Sequence, residues 1–194
     1  MFLKMFSFFL RTVPTFLNKF TYKCFYNLLF HLLKMRRQVV LKNLKRAFPH
    51  KNQDWYNKIS SQCYKFYTKD FLEFLSFPRY FNHDKIKFKN IEILDDALKN
   101  NKGVLFVSGH FGAFDKLFYS LATRGYALCG VAYKQKDGVA DKFFKRIREN
   151  YMKKQLYKGG SSKELKVALN NNEILVLLSD QDAREKGKKV NFFD

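Results

Sequence analysis

Acidic residues are scarce in this chain. Of 194 residues, 17 are Asp or Glu against 37 Lys or Arg, a formal charge of +20, and no acid precedes Asp54. A chain this basic is expected to meet nucleic acid, anionic lipid or an acidic protein, although a lysine-rich proteome gives the same excess. Cysteine is also scarce. Cys24, Cys63 and Cys129 lie far apart with no C-x-x-C pair, which excludes a disulfide scaffold and fits free thiols in a reducing compartment. No series of Cys and His has the spacing of a zinc site. No Gly occurs in residues 1–80. Long apolar runs are missing too: before Asp54 the longest stretch free of Lys and Arg is 24–33, about half of the ~18–20 residues of a membrane-spanning helix. Charges also interrupt the apolar run that a cleavable secretory signal needs. Aromatic residues are abundant, with 23 Phe and 11 Tyr, and their burial excludes a disordered chain.

The N-terminal region alternates cations with bulky apolar clusters. Lys4, Arg11, Lys19 and Lys23 are interleaved with Phe6, Phe8, Phe9 and Leu10, then Phe25, Tyr26, Leu28, Leu29 and Phe30. Residues 1–34 read as a membrane-anchoring amphipathic or hydrophobic helix, apolar groups in the acyl boundary and cations on anionic headgroups. A basic helix packed on its own domain fits the same pattern. Residues 35–84 read as a helical region expected to pack on the catalytic domain. Val40, Leu41, Leu44, Ala47 and Phe48 recur at helical spacing before Pro49. Asp54 is the expected cap of a second helix that runs from Trp55 to Leu75, before Pro78.

From residue 85 the pattern becomes α/β. Residues 86–91 are expected to form a short strand, and a short helix follows, closed at Gly103. Continuous apolar runs at 104–108, 127–133 and 174–179 predict buried strands. Helical patterns separate them, so the expected fold is a largely parallel sheet flanked by helices.

The chemistry is expected at the carboxyl end of the first buried strand, in Ser108-Gly-His110-Phe-Gly112-Ala-Phe-Asp115. Five residues along a regular helix leave two side chains about 140° apart, so His110 and Asp115 cannot meet in mid-helix. Gly109 and Gly112 permit an irregular turn from which the carboxylate reaches the imidazole and fixes its tautomer. The bare spacing also fits a turn histidine bonded to backbone. Cys129 lies within an apolar strand, where a thiol is inert.

The segment His110-Phe-Gly-Ala-Phe-Asp115 resembles the H-x4-D/E motif of the glycerolipid acyltransferase superfamily, and within it the lauroyl/myristoyl transferases of lipid A biosynthesis. Further matches run in the family's order: Asn43-Leu-Lys-Arg-Ala-Phe-Pro49, Ala132-Tyr-Lys-Gln135, Lys158-Gly-Gly160, Leu178-Ser-Asp-Gln-Asp182 and Lys186-Gly-Lys-Lys-Val-Asn-Phe-Phe193. Where the family has Arg-Pro, this chain has Lys134-Gln135, which keeps the charge but loses a bidentate fork. Members run about half as long again, so residues 85–194 are expected to be an acyltransferase domain truncated at its C-terminus.

The resemblance implies transfer of a fatty acyl chain from acyl carrier protein to a hydroxyacyl hydroxyl of a lipid A precursor, at the cytoplasmic face of the inner membrane; the alternatives are another glycerolipid acceptor or an inactive truncated product bound to the membrane. His110 is the implied general base, with Asp115 holding its ring. Backbone N–H groups around Gly112 would receive the oxyanion. Lys134, Arg146 and Arg148 would meet phosphates of the acceptor or the acidic carrier protein, although Arg146 and Arg148 also fit a solvated helix face. Asp180 and Asp182 would belong to the site, ordering Arg or Lys, or else form a strand-end turn. Ser161 and Glu164 read as a capping box. The chemistry requires no metal and no cofactor. Anionic inner-membrane lipid is an expected partner. Nucleic acid is not, because no RNP, KH or helix-turn-helix signature is present.

Overall fold

The computed structural model describes residues 2–82, 86–159 and 162–181. Gly160, Ser161 with its expected capping box, Asp182 and the 186–193 block lie outside the described residues. The chain forms two compact units, Met1–Phe81 and Asn82–Asp194.

The first unit is helical: α1 (Phe2–Thr12), α2 (Thr15–Asn27) prolonged by a π-helical turn over Leu28–Leu32, α3 (Arg37–Ala47) and α4 (Gln53–Leu75). Pro14 separates α1 from α2, since it has no N–H to continue the first helix. The cap of α4 is Asn52, whose side chain accepts from the N–H of Trp55 at 2.9 Å, and not Asp54. Asp54 sits in the first turn instead, where its charge still favours the helix N-terminus.

The chain after α4 returns to the α1–α2 corner. The guanidinium of Arg79 donates to the carbonyls of Leu10 at 3.1 Å and Arg11 at 3.2 Å, and also to that of Val13. Those carbonyls lie in the last turn of α1 and just beyond it, where helix-end carbonyls need outside donors, and a cation there also complements the helix dipole. Buried Asn18 donates to the carbonyl of Leu10 at 3.0 Å, and the hydroxyl of Ser7 donates to that of Leu75 at 2.6 Å. This polar seam fixes α1 and α2 while leaving Phe2, Met5, Phe8, Phe16 and Phe20 exposed. Among the described residues, no helix is long and apolar enough to cross a membrane.

The second unit is α/β: α5 (Glu92–Leu98), β1 (Val104–Ser108), α6 (Phe114–Ala122), β2 (Leu128–Ala132), α7 (Gly138–Arg148), β3 (Lys154–Tyr157), α8 (Ser162–Asn170) and β4 (Ile174–Leu178). The strands form one parallel sheet in the order β1-β4-β2-β3. One face carries Leu128, Ile174 and Val176 against Leu94 of α5 and Phe118 and Leu121 of α6. The other carries Cys129, Leu156 and Leu175 against Ala168 of α8. The expected strand at 86–91 is irregular chain instead. Phe88 and Ile91 pack on the first core cluster, so their apolar surface is covered without strand pairing.

β1 pairs with β4 along its whole length, from Val104↔Ile174 to Ser108↔Leu178. β2 pairs with β4 only from Leu128↔Ile174 to Gly130↔Val176. The sheet therefore opens at its carboxyl end, with Val131 and Ala132 on one side and Leu177 and Leu178 on the other. The crossover through α7 leads outward and the one through α8 leads back, an order reversal of the kind at which open α/β sheets form ligand crevices.

Arg79→Met should lower the stability of the helical unit by about 1–3 kcal/mol, because several helix-end carbonyls lose a charged donor. Urea unfolding followed by circular dichroism measures this; an unchanged midpoint would show the seam to be idle.

Candidate active site

At the end of β1 the chain turns sharply. The N–H of Phe111 donates to the carbonyl of Gly109 at 2.8 Å, which puts His110 at the apex of a three-residue turn. Gly112 then adopts φ +64°, a left-handed conformation that costs glycine little, and α6 begins with Asp115 in its first turn. Gly109 serves a different need: a Cβ there would lie 3.2 Å from the Cβ of Asp180, so its bareness lets the exit of β4 approach.

That approach brings Asp180 to His110. The N–H of Ser179 donates to the carbonyl of Ser108 at 2.8 Å, extending the β1–β4 pairing beyond the strands. The Nδ1 of His110 then lies 2.8 Å from the Oδ1 of Asp180. A carboxylate in this place accepts from Nδ1–H and leaves Nε2 as the acceptor of the neutral ring. The His110 side chain holds the Asp180 carboxyl below the usual carboxylate range, with a further contribution from the His110 backbone N–H. The His110 ring packs edge-on against Phe114, centroids 5.1 Å apart.

The expected pairing of Asp115 with His110 is replaced by another. Buried Asp115 accepts through Oδ1 from the hydroxyl of Tyr151 at 2.7 Å and from the Nε of Arg148 at 3.2 Å. The turn at Gly112 sends His110 towards β4, whereas Asp115 meets the end of α7 and the residues that follow it. Burial, and then the charge of Asp115, push the Tyr151 hydroxyl well above its ordinary value. Arg148 and Asp115 are thus one ion pair.

These groups border a cavity of about 560 Å³ at the open end of the sheet, within the ordinary size of ligand pockets. His110, Asp115, Arg148, Gln155 and Tyr157 line it together with Phe114, Phe118, Gly130, Met152 and Val176. Lys134 and Arg146 are exposed and do not line it. Gly112 shapes the turn without lining the cavity, and Asp180 lies behind the imidazole. Gln155, Tyr151 and Tyr157 carry no spacing signal in the sequence and emerge only from the fold. So does buried Asp141, which accepts from the Gln135 N–H at 2.8 Å and the Tyr157 hydroxyl at 2.6 Å and so fastens the exit of β2 to β3.

Cys129 is not placed for nucleophilic work. It is buried, its thiol donates to Glu173 Oε2 at 2.9 Å, and burial followed by that carboxylate pushes its pKa up to about 12.

The model of the bacterial lipid A biosynthesis acyltransferase family matches residues 2–194. No curated protein matches the chain. The chain belongs to the bacterial lipid A biosynthesis acyltransferase family, which makes it an acyltransferase of lipid A biosynthesis.

Long-range proton–nitrogen spectra of the imidazoles distinguish the two carboxylates. The neutral His110 ring should carry its proton on Nδ1 in the wild type and in Asp115→Asn, and lose that preference in Asp180→Ala. The opposite pattern would restore Asp115 as the partner.

Proposed function

We propose that this member of the family carries out a late acylation, moving a fatty acyl chain from the thioester of acyl carrier protein to a hydroxyacyl hydroxyl of a lipid A precursor. The observation that carries the reading is His110 at the cavity edge, its Nδ1 held by Asp180 and its Nε2 left to take a proton. A hydroxyl is a poor nucleophile near neutral pH. Nε2 accepts its proton as the oxygen attacks the thioester carbonyl. The charge of Asp180 stabilises the imidazolium that forms. The turn at Gly112 presents the start of α6, where Phe114 and Asp115 line the cavity and their N–H groups offer donors for the tetrahedral oxyanion. Collapse breaks the carbon–sulfur bond, and the imidazolium returns the proton to the thiolate.

Asp115 takes a supporting role in this reading. It holds Arg148 at the cavity wall, where a guanidinium meets a phosphate of the acceptor or of the donor's phosphopantetheine arm. Exposed Lys134 and Arg146 suit the acidic surface of the carrier protein. Asp182 follows Asp180 by two residues and stays a candidate from the sequence. The Phe-rich exposed surface of α1 and α2, free of acids, supports docking on anionic lipid of the inner membrane, at the cytoplasmic face where the carrier protein is found.

Transfer of radiolabelled acyl chain from acyl carrier protein to a tetra-acylated lipid A precursor tests the reaction. His110→Ala should lower turnover by roughly 10²–10⁴. Asp180→Asn should also cut it, since the amide supplies no charge. Near wild-type turnover by His110→Ala would eliminate this site. Separately, the protein should sediment with anionic vesicles, and Phe8→Ser/Phe16→Ser/Phe20→Ser should weaken this without unfolding the helical unit. Salt should weaken it only partly, because screening leaves apolar insertion in place. Equal sedimentation of the triple variant would remove the lipid-docking role.

A further inference from the structure

We propose that Met152, seated on Gly130, closes the deep end of the cavity and sets the length of acyl chain that the protein accepts. The proposal rests on the reading of this cavity as the acyl-transfer site.

The cavity reaches into the hydrophobic core. Phe118, Val176 and Met152 line it, yet they are 1%, 2% and 5% exposed, and all three belong to the core cluster between the sheet and its helices. Gly130↔Val176 is the last pair joining β2 to β4. The cavity therefore runs from the turn at His110 down the parted strands and ends where they rejoin. Met152 occupies that end. A Cβ on Gly130 would lie 2.8 Å from the Sδ of Met152, so the thioether fills the place of the missing side chain.

The chemistry of the walls selects the occupant. Asp115 and Arg148 form an ion pair on one side, and Gln155 accepts from Arg148 at 3.5 Å. The remaining path from Phe114 past Phe118 and Val176 to Met152 is apolar. A sugar or phosphate would lose its hydration on this path and meet at its end only Gln155, the register partner of Gly130, which already accepts from Arg148. An alkyl chain gains from the same burial at every methylene. Met is unbranched and adaptable, so the limit it sets is a soft one.

Displacement of a fluorescent fatty acid by saturated fatty acids of graded length measures the limit without catalysis. Transfer from carrier proteins charged with the same chains measures it in turnover. Met152→Ala should move the preferred length up by roughly two to three carbons, the volume of the atoms removed. Gly130→Ala should press the thioether into the cavity and move the preference down. It also guards against misfolding of Met152→Ala, because its added methyl meets only the far end of a flexible side chain. Unchanged length profiles in both variants, or no binding of any fatty acid, would overturn the proposal. Shifted binding profiles in a protein that transfers no acyl chain would uphold it and overturn the transferase reading instead.

Discussion

The parting of β2 from β4 beyond Gly130↔Val176 is the constraint on which the rest of the second unit depends. Two neighbouring parallel strands that stayed paired to their ends would leave no room for a ligand among their carboxyl termini. Opening them forfeits ladder hydrogen bonds, which is tolerable because each strand keeps its other neighbour. β4 stays bound to β1 through Leu178, and β2 stays bound to β3 through Ala132. The carbonyl of Ala132 also accepts from the N–H of Lys158 at 2.8 Å. Each half of the divided sheet is thus held rigidly, and the gap between them is a built feature.

The same division explains why the carboxylate near in sequence is not the one that meets the imidazole. Asp115 is five residues from His110 in the chain, but the turn at Gly112 separates them. Asp180 is 70 residues away, and the full-length pairing of β1 with β4 delivers it within 2.8 Å. The partner of a turn residue is set here by the strand beside it. Released from the imidazole, Asp115 balances Arg148, which would otherwise bring an uncompensated charge to a mostly apolar cavity.

Buried strands were legible because their apolar runs are continuous and end abruptly. β1, β2 and β4 fall within the runs at 104–108, 127–133 and 174–179. β3 was not legible. It is a four-residue strand, Lys-Gln-Leu-Tyr, at one end of the strand order, where one neighbour suffices and no apolar run is needed. The opposite error at 86–91 arose because Ile86 and Phe88 alternate with lysines as in a strand, whereas Phe88 and Ile91 satisfy their burial by packing on a core. Asn52 and Asp54 are both able caps, and only the backbone of Asn52, extended at φ −84° and ψ 169°, decides between them. At the candidate site, the position of His110 after a buried strand was readable. The ring of contacts around it was not, since Tyr151, Gln155 and Tyr157 enter singly from separate elements.

The open end of the sheet is fastened by carboxylates on both sides. Asp180 ties the exit of β4 to that of β1 through His110, and Asp141 ties the exit of β2 to β3 through Gln135 and Tyr157. Both are held below the usual carboxylate range, Asp180 chiefly by the His110 side chain and Asp141 chiefly by the Tyr157 hydroxyl. A depressed carboxyl contributes its full stabilisation above its unfolded value, about pH 3.9, and loses it only as the pH falls through the lower folded value. Near neutrality both carboxylates are therefore fully charged. Acid weakens them, while the apolar side chains of Leu128, Ile174 and Leu175 do not titrate and their contacts persist. The two carboxylates that hold the open end of the sheet thus keep their charge near neutrality, and the walls of the cavity are held from both sides.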